Sequence, residues 1–196
     1  KLGVLFSSGK DSTYAALMMK RQGYELTCLI TLKSENQDSY MFHTPAIELA
    51  KLQAKAMETP LILYKTKGEK EIELKDLEKA LVLAKKKYKI EGIVTGALFS
   101  TYQRDRIERV ADSLGLKIFS PLWHKSQEQE MQELLENEFE FILTSVAAEG
   151  LDKSWLGKKI DQTALEKLKQ IHLKNRMNIA FEGGEAESLV LDCPLF

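Results

Sequence analysis

Apolar positions along the chain fall into short runs, separated by polar turns and by stretches with helical spacing. Lys1–Phe6 carries Leu2, Val4, Leu5 and Phe6, the pattern of a strand buried on both faces. Ser7–Asp11 is polar and holds Gly9, and Tyr14–Arg21 then reads as a helix through Ala15, Leu17, Met18 and Met19. The rhythm repeats: Leu26–Leu32 predicts a strand with a polar loop through Ser39, Pro45–Met57 a helix with proline near its first turn, and Leu61–Tyr64 a strand. Leu74, Leu77, Leu81, Ala84 and Tyr88 recur at three-to-four spacing and predict the next helix. Ile93–Thr95 and Lys117–Phe119 predict strands on either side of a helix over Thr101–Leu114. Regular alternation of strand and helix predicts the α/β class, with a parallel sheet covered on both faces.

Beyond Pro121 the rhythm changes. Gln127–Leu135 predicts a helix, Phe139–Val146 a strand, and Asp161–Leu173 a helix capped by Asp161. Two loops, Gly150–Gly157 and the Gly- and Glu-rich Glu182–Glu187, precede a helix and a last short strand at Leu189–Leu191. The change of rhythm sets a boundary near residue 121 and divides the chain into residues 1–121 and 122–196.

Composition narrows the classes. The 196 residues carry a formal net charge of -1, so the basic excess of a protein that grips nucleic acid by its phosphates is missing, and no direct nucleic-acid partner is expected. Lys85-Lys86-Lys87, the densest basic run, reads as a solvated helix end. The two cysteines, Cys28 and Cys193, form neither a disulfide framework nor a zinc pattern, which fits a reducing cytoplasm. Cys28 lies in a predicted strand and is expected to be buried and inert. No apolar run approaches the roughly 20 residues of a membrane span. The chain opens on Lys1 without methionine, and a few residues are expected to precede it.

The segment with the most chemistry is Ser7-Ser8-Gly9-Lys10-Asp11-Ser12, between the first strand and the first helix. Ligands of parallel sheets gather at the carboxyl ends of strands, and a helix N-terminus offers N–H groups and a positive dipole end to phosphate. Gly9 allows close backbone approach, Lys10 adds a charge, and Ser7 and Ser12 add hydroxyls. A serine-rich helix cap would look the same. The segment is not a Walker A loop: five residues lie between Gly3 and Gly9 where four are required, and Asp11 follows Lys10 where Ser or Thr is required. If the backbone at residue 8 needs φ above zero, Ser8 is strained there.

This segment resembles the S-G-G-K-D-S loop of the N-type ATP pyrophosphatases, the PP-loop superfamily. Further segments narrow the likeness: Ser34-Glu35-Asn36 with Ser39-Tyr40-Met41-Phe42-His43-Thr44; Gly96 with Tyr102-Gln103-Arg104, Arg106 and Glu108; Gly150-Leu151 with Trp155-Leu156-Gly157; and Glu182-Gly183-Gly184-Glu185-Ala186-Glu187-Ser188. Together they resemble the diphthine–ammonia ligase family over essentially the whole chain. Ser8 replaces the usual glycine, Ala186 stands where the family has an aromatic, and Ser188 replaces threonine while keeping its hydroxyl.

The resemblance implies a Rossmann-like fold of the HUP type. Its parallel five-stranded sheet over residues 1–121 would bind ATP, and a smaller C-terminal α/β lobe over 122–196 would bind substrate. It implies a cytoplasmic ligase that uses ATP and Mg²⁺ to adenylate the carboxylate of diphthine, a modified histidine on translation elongation factor 2. Ammonia then displaces AMP and leaves diphthamide. On this reading Ser7, Ser8, Gly9, Lys10, Asp11, Ser12 and Gly96 contact ATP, with Asp11 a candidate metal carboxylate or a first-turn helix charge. Glu182, Gly183, Gly184, Glu185, Glu187 and Ser188 form a substrate turn with Tyr40, His43, Tyr102, Gln103 and Arg106. Glu185 and Glu187 would hold the trimethylammonium group or take a proton from ammonium. Arg106 would hold phosphate or carboxylate, or else pair with Asp105 or Glu108 on its own helix. Trp155 is expected to pack beneath the Gly157 turn. Other readings remain: a PP-loop enzyme acting on another carboxylate or a tRNA base, and an adenine-nucleotide sensor without catalysis.

Overall fold

The computed structural model describes residues 1–34, 47–67, 72–97 and 101–196, and the side chains of residues 47 and 101–103 lie outside that description. It contains two compact units, Lys1–Trp123 and His124–Phe196.

The first unit is built on strands β1 (Leu2–Leu5), β2 (Leu26–Ser34), β3 (Leu61–Thr66), β4 (Gly92–Val94) and β5 (Lys117–Phe119). They form one parallel sheet in the order β3-β2-β1-β4-β5. Helices α1 (Lys10–Arg21), α2 (Ile47–Ala56), α3 (Ile72–Tyr88) and α4 (Thr101–Ser113) connect them. The chain steps outward from β1 to β3, then crosses back to β4 and steps the other way. Right-handed crossovers therefore put α3 and α4 on the face opposite α1 and α2. Side-chain alternation agrees: Cys28, Ile30 and Leu32 of β2 join Leu77, Leu81 and Ile107 of α3 and α4 in one buried cluster. The α/β class and the five-stranded parallel sheet expected from the sequence are what the chain forms.

Several element limits shift from the pattern reading by one to a few residues, and two of the shifts have a clear cause. Helix α1 begins at Lys10, not Tyr14, because Gly9 takes the extended N-cap position and its carbonyl accepts the Thr13 N–H at 3.2 Å. The last strand is longer than Leu189–Leu191, because antiparallel pairing draws in the flanking polar residues.

The second unit holds helix α5 (Gln127–Glu136), strand β6 (Glu140–Val146), a single 3₁₀ turn (Lys153–Trp155), helix α6 (Gln162–Asn175) and strand β7 (Ala186–Asp192). β6 and β7 form a two-stranded antiparallel ribbon. Such a ribbon is not stable alone; here Phe141, Leu143 and Leu189 are buried with Met131, Leu165 and Leu168 from the two helices. Asp161 caps α6 as expected, accepting the Ala164 N–H at 2.7 Å. Trp155 is buried, and the Lys158 amine lies 5.2 Å from its ring centroid. It is a core residue, in line with the sequence reading. Among the described residues no helix is long and apolar enough to cross a membrane.

Candidate active site

The sheet order reverses between β1 and β4, and the crevice at such a point is where open α/β sheets take ligands. The Ser7–Ser12 loop leaves the end of β1 at this point. The buried Thr31 hydroxyl donates to the Phe6 carbonyl at 2.7 Å and fixes where the strand stops. Ser12 Oγ lies 3.1 Å from Ser7 Oγ and accepts the Ser7 N–H at 3.2 Å, so one side chain ties both ends of the loop. The Thr13 hydroxyl donates to the Gly9 carbonyl at 2.8 Å. The first N–H groups of α1 have no acceptor within the helix, which makes them donors for an anion.

Lys10 is 1% exposed, and its amine pairs with the Asp11 carboxylate. Asp11 sits in the first turn of α1 while Gly9 occupies the cap. Ser8 has φ 71, the left-handed conformation that favours glycine. The strain anticipated for a serine at this position is therefore present. Gly96, just after β4, closes the crevice: a Cβ there would stand 2.6 Å from the Asp11 carbonyl carbon and 2.6 Å from the Ser12 nitrogen. Both are backbone atoms that cannot swing aside. Residues 7–12 and 96, distant in sequence, thus form one tightly seated structure within the first unit.

Helix α4 also starts at the carboxyl side of the sheet. Tyr102 and Gln103 lie in its first turn, and their side chains are outside the described residues. Arg106 is half-buried. Glu108 pairs with Arg104, at 2.5 Å. The i, i+4 spacing explains this, since residues 106 and 108 point to different sides of a helix. The Arg104 guanidinium also stacks 4.5 Å from the Trp123 ring centroid. Sequence reading missed this arrangement, because nothing local links residue 104 to residue 123. Tyr40 and His43 fall outside the described residues.

The acidic turn belongs to the second unit. Gly184 has φ 84, and Gly183 and Gly184 are exposed. Glu185 does more than carry charge: its carboxylate accepts the Gly183 N–H at 2.8 Å and the Asn178 N–H at 3.2 Å. One side chain thus holds the segment from Asn178 to Glu185 in shape. Glu182 sits half-buried in the turn. Glu187 and Ser188 begin β7, opposite Ser145 and Leu143 of β6. Ala186 is buried opposite Val146, so the small residue faces the packed interior of this unit.

No group of three or more His, Cys, Asp or Glu side chains among the described residues is arranged to hold a metal by itself. Cys28 and Cys193 are both buried, and burial pushes each thiol up to about 11. Neither has the lowered pKa of a sulfur-carrying nucleophile.

Comparison with known proteins agrees with this geometry along the whole chain. Residues 1–118 match the family model for the diphthamide synthase N-terminal domain, and residues 126–196 match that for its C-terminal domain. The chain is 36% identical to the diphthine–ammonia ligase of Bos taurus and 35% identical to that of Homo sapiens, covering 100% of this chain and 80% of each relative. It is 34% identical to the Schizosaccharomyces pombe diphthine–ammonia ligase, over 98% of this chain and 34% of that longer protein. A solved chain from Methanocaldococcus jannaschii, described as a predicted subunit of tRNA methyltransferase, aligns over 88% of this chain and 87% of its own at 16% identity and a TM-score of 0.45, a likeness too loose to carry an argument. Matched in both domains and along its full length, the chain belongs to the diphthamide synthase family, the diphthine–ammonia ligases.

Proposed function

We propose that this protein is a diphthine–ammonia ligase that joins ammonia to the carboxylate of diphthine on translation elongation factor 2, with ATP cleaved to AMP and pyrophosphate in the cytoplasm. Family membership over the whole chain supports the reaction. The observation that carries the ATP step is the buried Lys10 in a loop seated at the switch point of the sheet.

In the first step a carboxylate oxygen bonds to the α-phosphorus of ATP and the bond to pyrophosphate breaks. Two anions must meet, and charge builds on the leaving group. The Lys10 amine and the first N–H groups of α1 neutralise it on this reading. Asp11, now paired with the Lys10 amine, would be the carboxylate to hold a Mg²⁺ that accompanies ATP. Magnesium carried by nucleotide is held largely by phosphates and water, needing only one or two protein carboxylates, and Asp11 fits that requirement. Bound there, the metal would supply positive charge that offsets the charge of the phosphates. In the second step ammonia nitrogen bonds to the acyl carbon, the bond to AMP breaks, and the surplus proton passes to a base. Glu187 and Glu185 are the candidate carboxylates for ammonium and for the trimethylammonium group. Residues 1–121 act as the ATP-binding domain and 122–196 as the substrate lobe. Gly96 seats the ATP loop; Tyr40, His43, Tyr102, Gln103, Arg106, Glu182, Gly183, Gly184 and Ser188 complete the substrate side.

The test is an assay by mass spectrometry with ATP, Mg²⁺, ammonium and elongation factor 2 halted at diphthine. Ammonium-dependent diphthamide with AMP is expected. AMP without diphthamide moves the reaction to another acid, and no AMP with the full substrate set overturns the ligase reading.

A further inference from the structure

Ser8 is strained, yet its own side chain does nothing visible to hold it. Its hydroxyl is 2% exposed and has no hydrogen-bond partner among the described residues. A left-handed serine costs roughly 1–2 kcal/mol against its ordinary conformations, so something else must hold the turn. That tie comes from a residue distant in sequence. Gln53 of α2 is 6% exposed, and its side-chain amide donates to the Ser8 carbonyl at 3.3 Å.

The direction of that bond matters. No peptide bond among the described residues is cis. In a planar trans peptide the C=O and the following N–H point to opposite sides. Holding the Ser8 carbonyl toward α2 therefore turns the Gly9 N–H away from α2. We infer that Gln53 is a positioning residue for the phosphate grip: by anchoring one carbonyl it keeps Ser8 left-handed and aims the Gly9 N–H at the ligand's phosphates. Glycine at residue 8 would adopt the same conformation without help. The serine makes the loop dependent on α2.

The inference rests on reading the loop as an ATP site, and the experiment separates the two. Affinity for α,β-methylene ATP with Mg²⁺, which resists cleavage at the bond the reaction breaks, is measured by calorimetry beside the melting temperature. Gln53→Met keeps the length and bulk of the side chain and removes the donor. It is expected to weaken binding about tenfold, the worth of one buried hydrogen bond, with cooperative melting retained. Ser8→Gly added to Gln53→Met is expected to restore affinity to within about threefold of the Ser8→Gly chain alone. Unchanged affinity in Gln53→Met overturns the inference, and so does a loss that Ser8→Gly fails to reduce, which would make Gln53 a packing residue. Should Gln53→Met not melt cooperatively, Gln53→Ala, which only leaves space, is read by the same two criteria. A wild-type chain that binds no nucleotide overturns the ATP reading and this inference with it.

Discussion

The two candidate regions are built in opposite ways. In the Ser7–Ser12 loop the proposed binding surface is backbone: N–H groups at a helix start, a left-handed residue, and a neighbour that must be glycine. Its one cation is buried. In the Glu182–Ser188 turn the glycines are exposed and the proposed chemistry falls to half-buried side chains. A polyphosphate always offers the same oxygens, so a rigid backbone cradle suits it. A modified histidine and ammonia are distinguished by charge, which side chains provide. Changes of shape should therefore injure the loop most, and changes of charge the turn. Only at Lys10 do the two kinds of injury coincide.

The largest effect expected is from Lys10→Met. Removing the cation opposite a developing charge typically costs about two to three decades of rate, and AMP release should fall by that much or more. Asp11 remains one-third exposed, so its loss of a partner is softened by water and the melting temperature should hardly move. AMP release within about tenfold of wild type would remove Lys10 from the reaction.

Gly96→Ala tests shape alone. The added methyl changes no charge, but it meets backbone of Asp11 and Ser12 at 2.6 Å, so the start of α1 must shift. Overpacking of this kind costs about 1–3 kcal/mol. A lower melting temperature and about tenfold weaker ATP binding are expected together, since the displaced atoms are the proposed phosphate donors. If alanine is accepted with both unchanged, the loop is not seated on residue 96.

Legibility in the sequence follows the same division. Strands of a buried parallel sheet are short apolar runs, so β1, β3 and β5 and their order with the helices could be seen directly. The Ser7–Ser12 loop was visible because its residues are contiguous. What could not be read were ties between distant positions: Gln53 to Ser8, Arg104 to Trp123, and Gly96 against α1. The resemblance flagged Gly96 without its reason, which is a contact of backbone with backbone. In the turn, three glutamates look equivalent as letters. Only the fold distinguishes Glu185, whose carboxylate is occupied by two N–H groups, from Glu187 on the strand.

That distinction gives the charge test. Glu185→Gln replaces an acceptor-only group with one half of which donates, and one of the two N–H groups facing it loses its partner. A cost of about 1–3 kcal/mol is expected in the melting of this unit, along with slower diphthamide formation. Glu187→Gln should slow diphthamide formation as well. Both should leave ATP binding alone. Equal loss of ATP binding and amide formation in the two variants would take the turn out of the second step.

The smallest effect compares the units through their own thiols. Cys28 lies in the central sheet and Cys193 just after β7; both are buried, with pKa values near 11. At pH 8 a thiol at about 11 is roughly one part in a thousand thiolate, so a disulfide reagent should react only when the fold opens. Once open, both return toward the ordinary value of 9.0, and the ratio of their rates reports opening. The ribbon unit has two strands and two helices to hold Cys193, against a five-stranded sheet over Cys28. Cys193 should therefore label about tenfold faster, the ratio for 1.4 kcal/mol of easier opening. The same burial carries a pH signature. Thiols raised in the folded state stabilise it fully below pH 9, and that contribution disappears as pH climbs through 11, because the unfolded chain releases its protons first. Equal labelling rates at both cysteines would mean that the two units open as one, and that the acidic turn is no more mobile a platform than the phosphate loop.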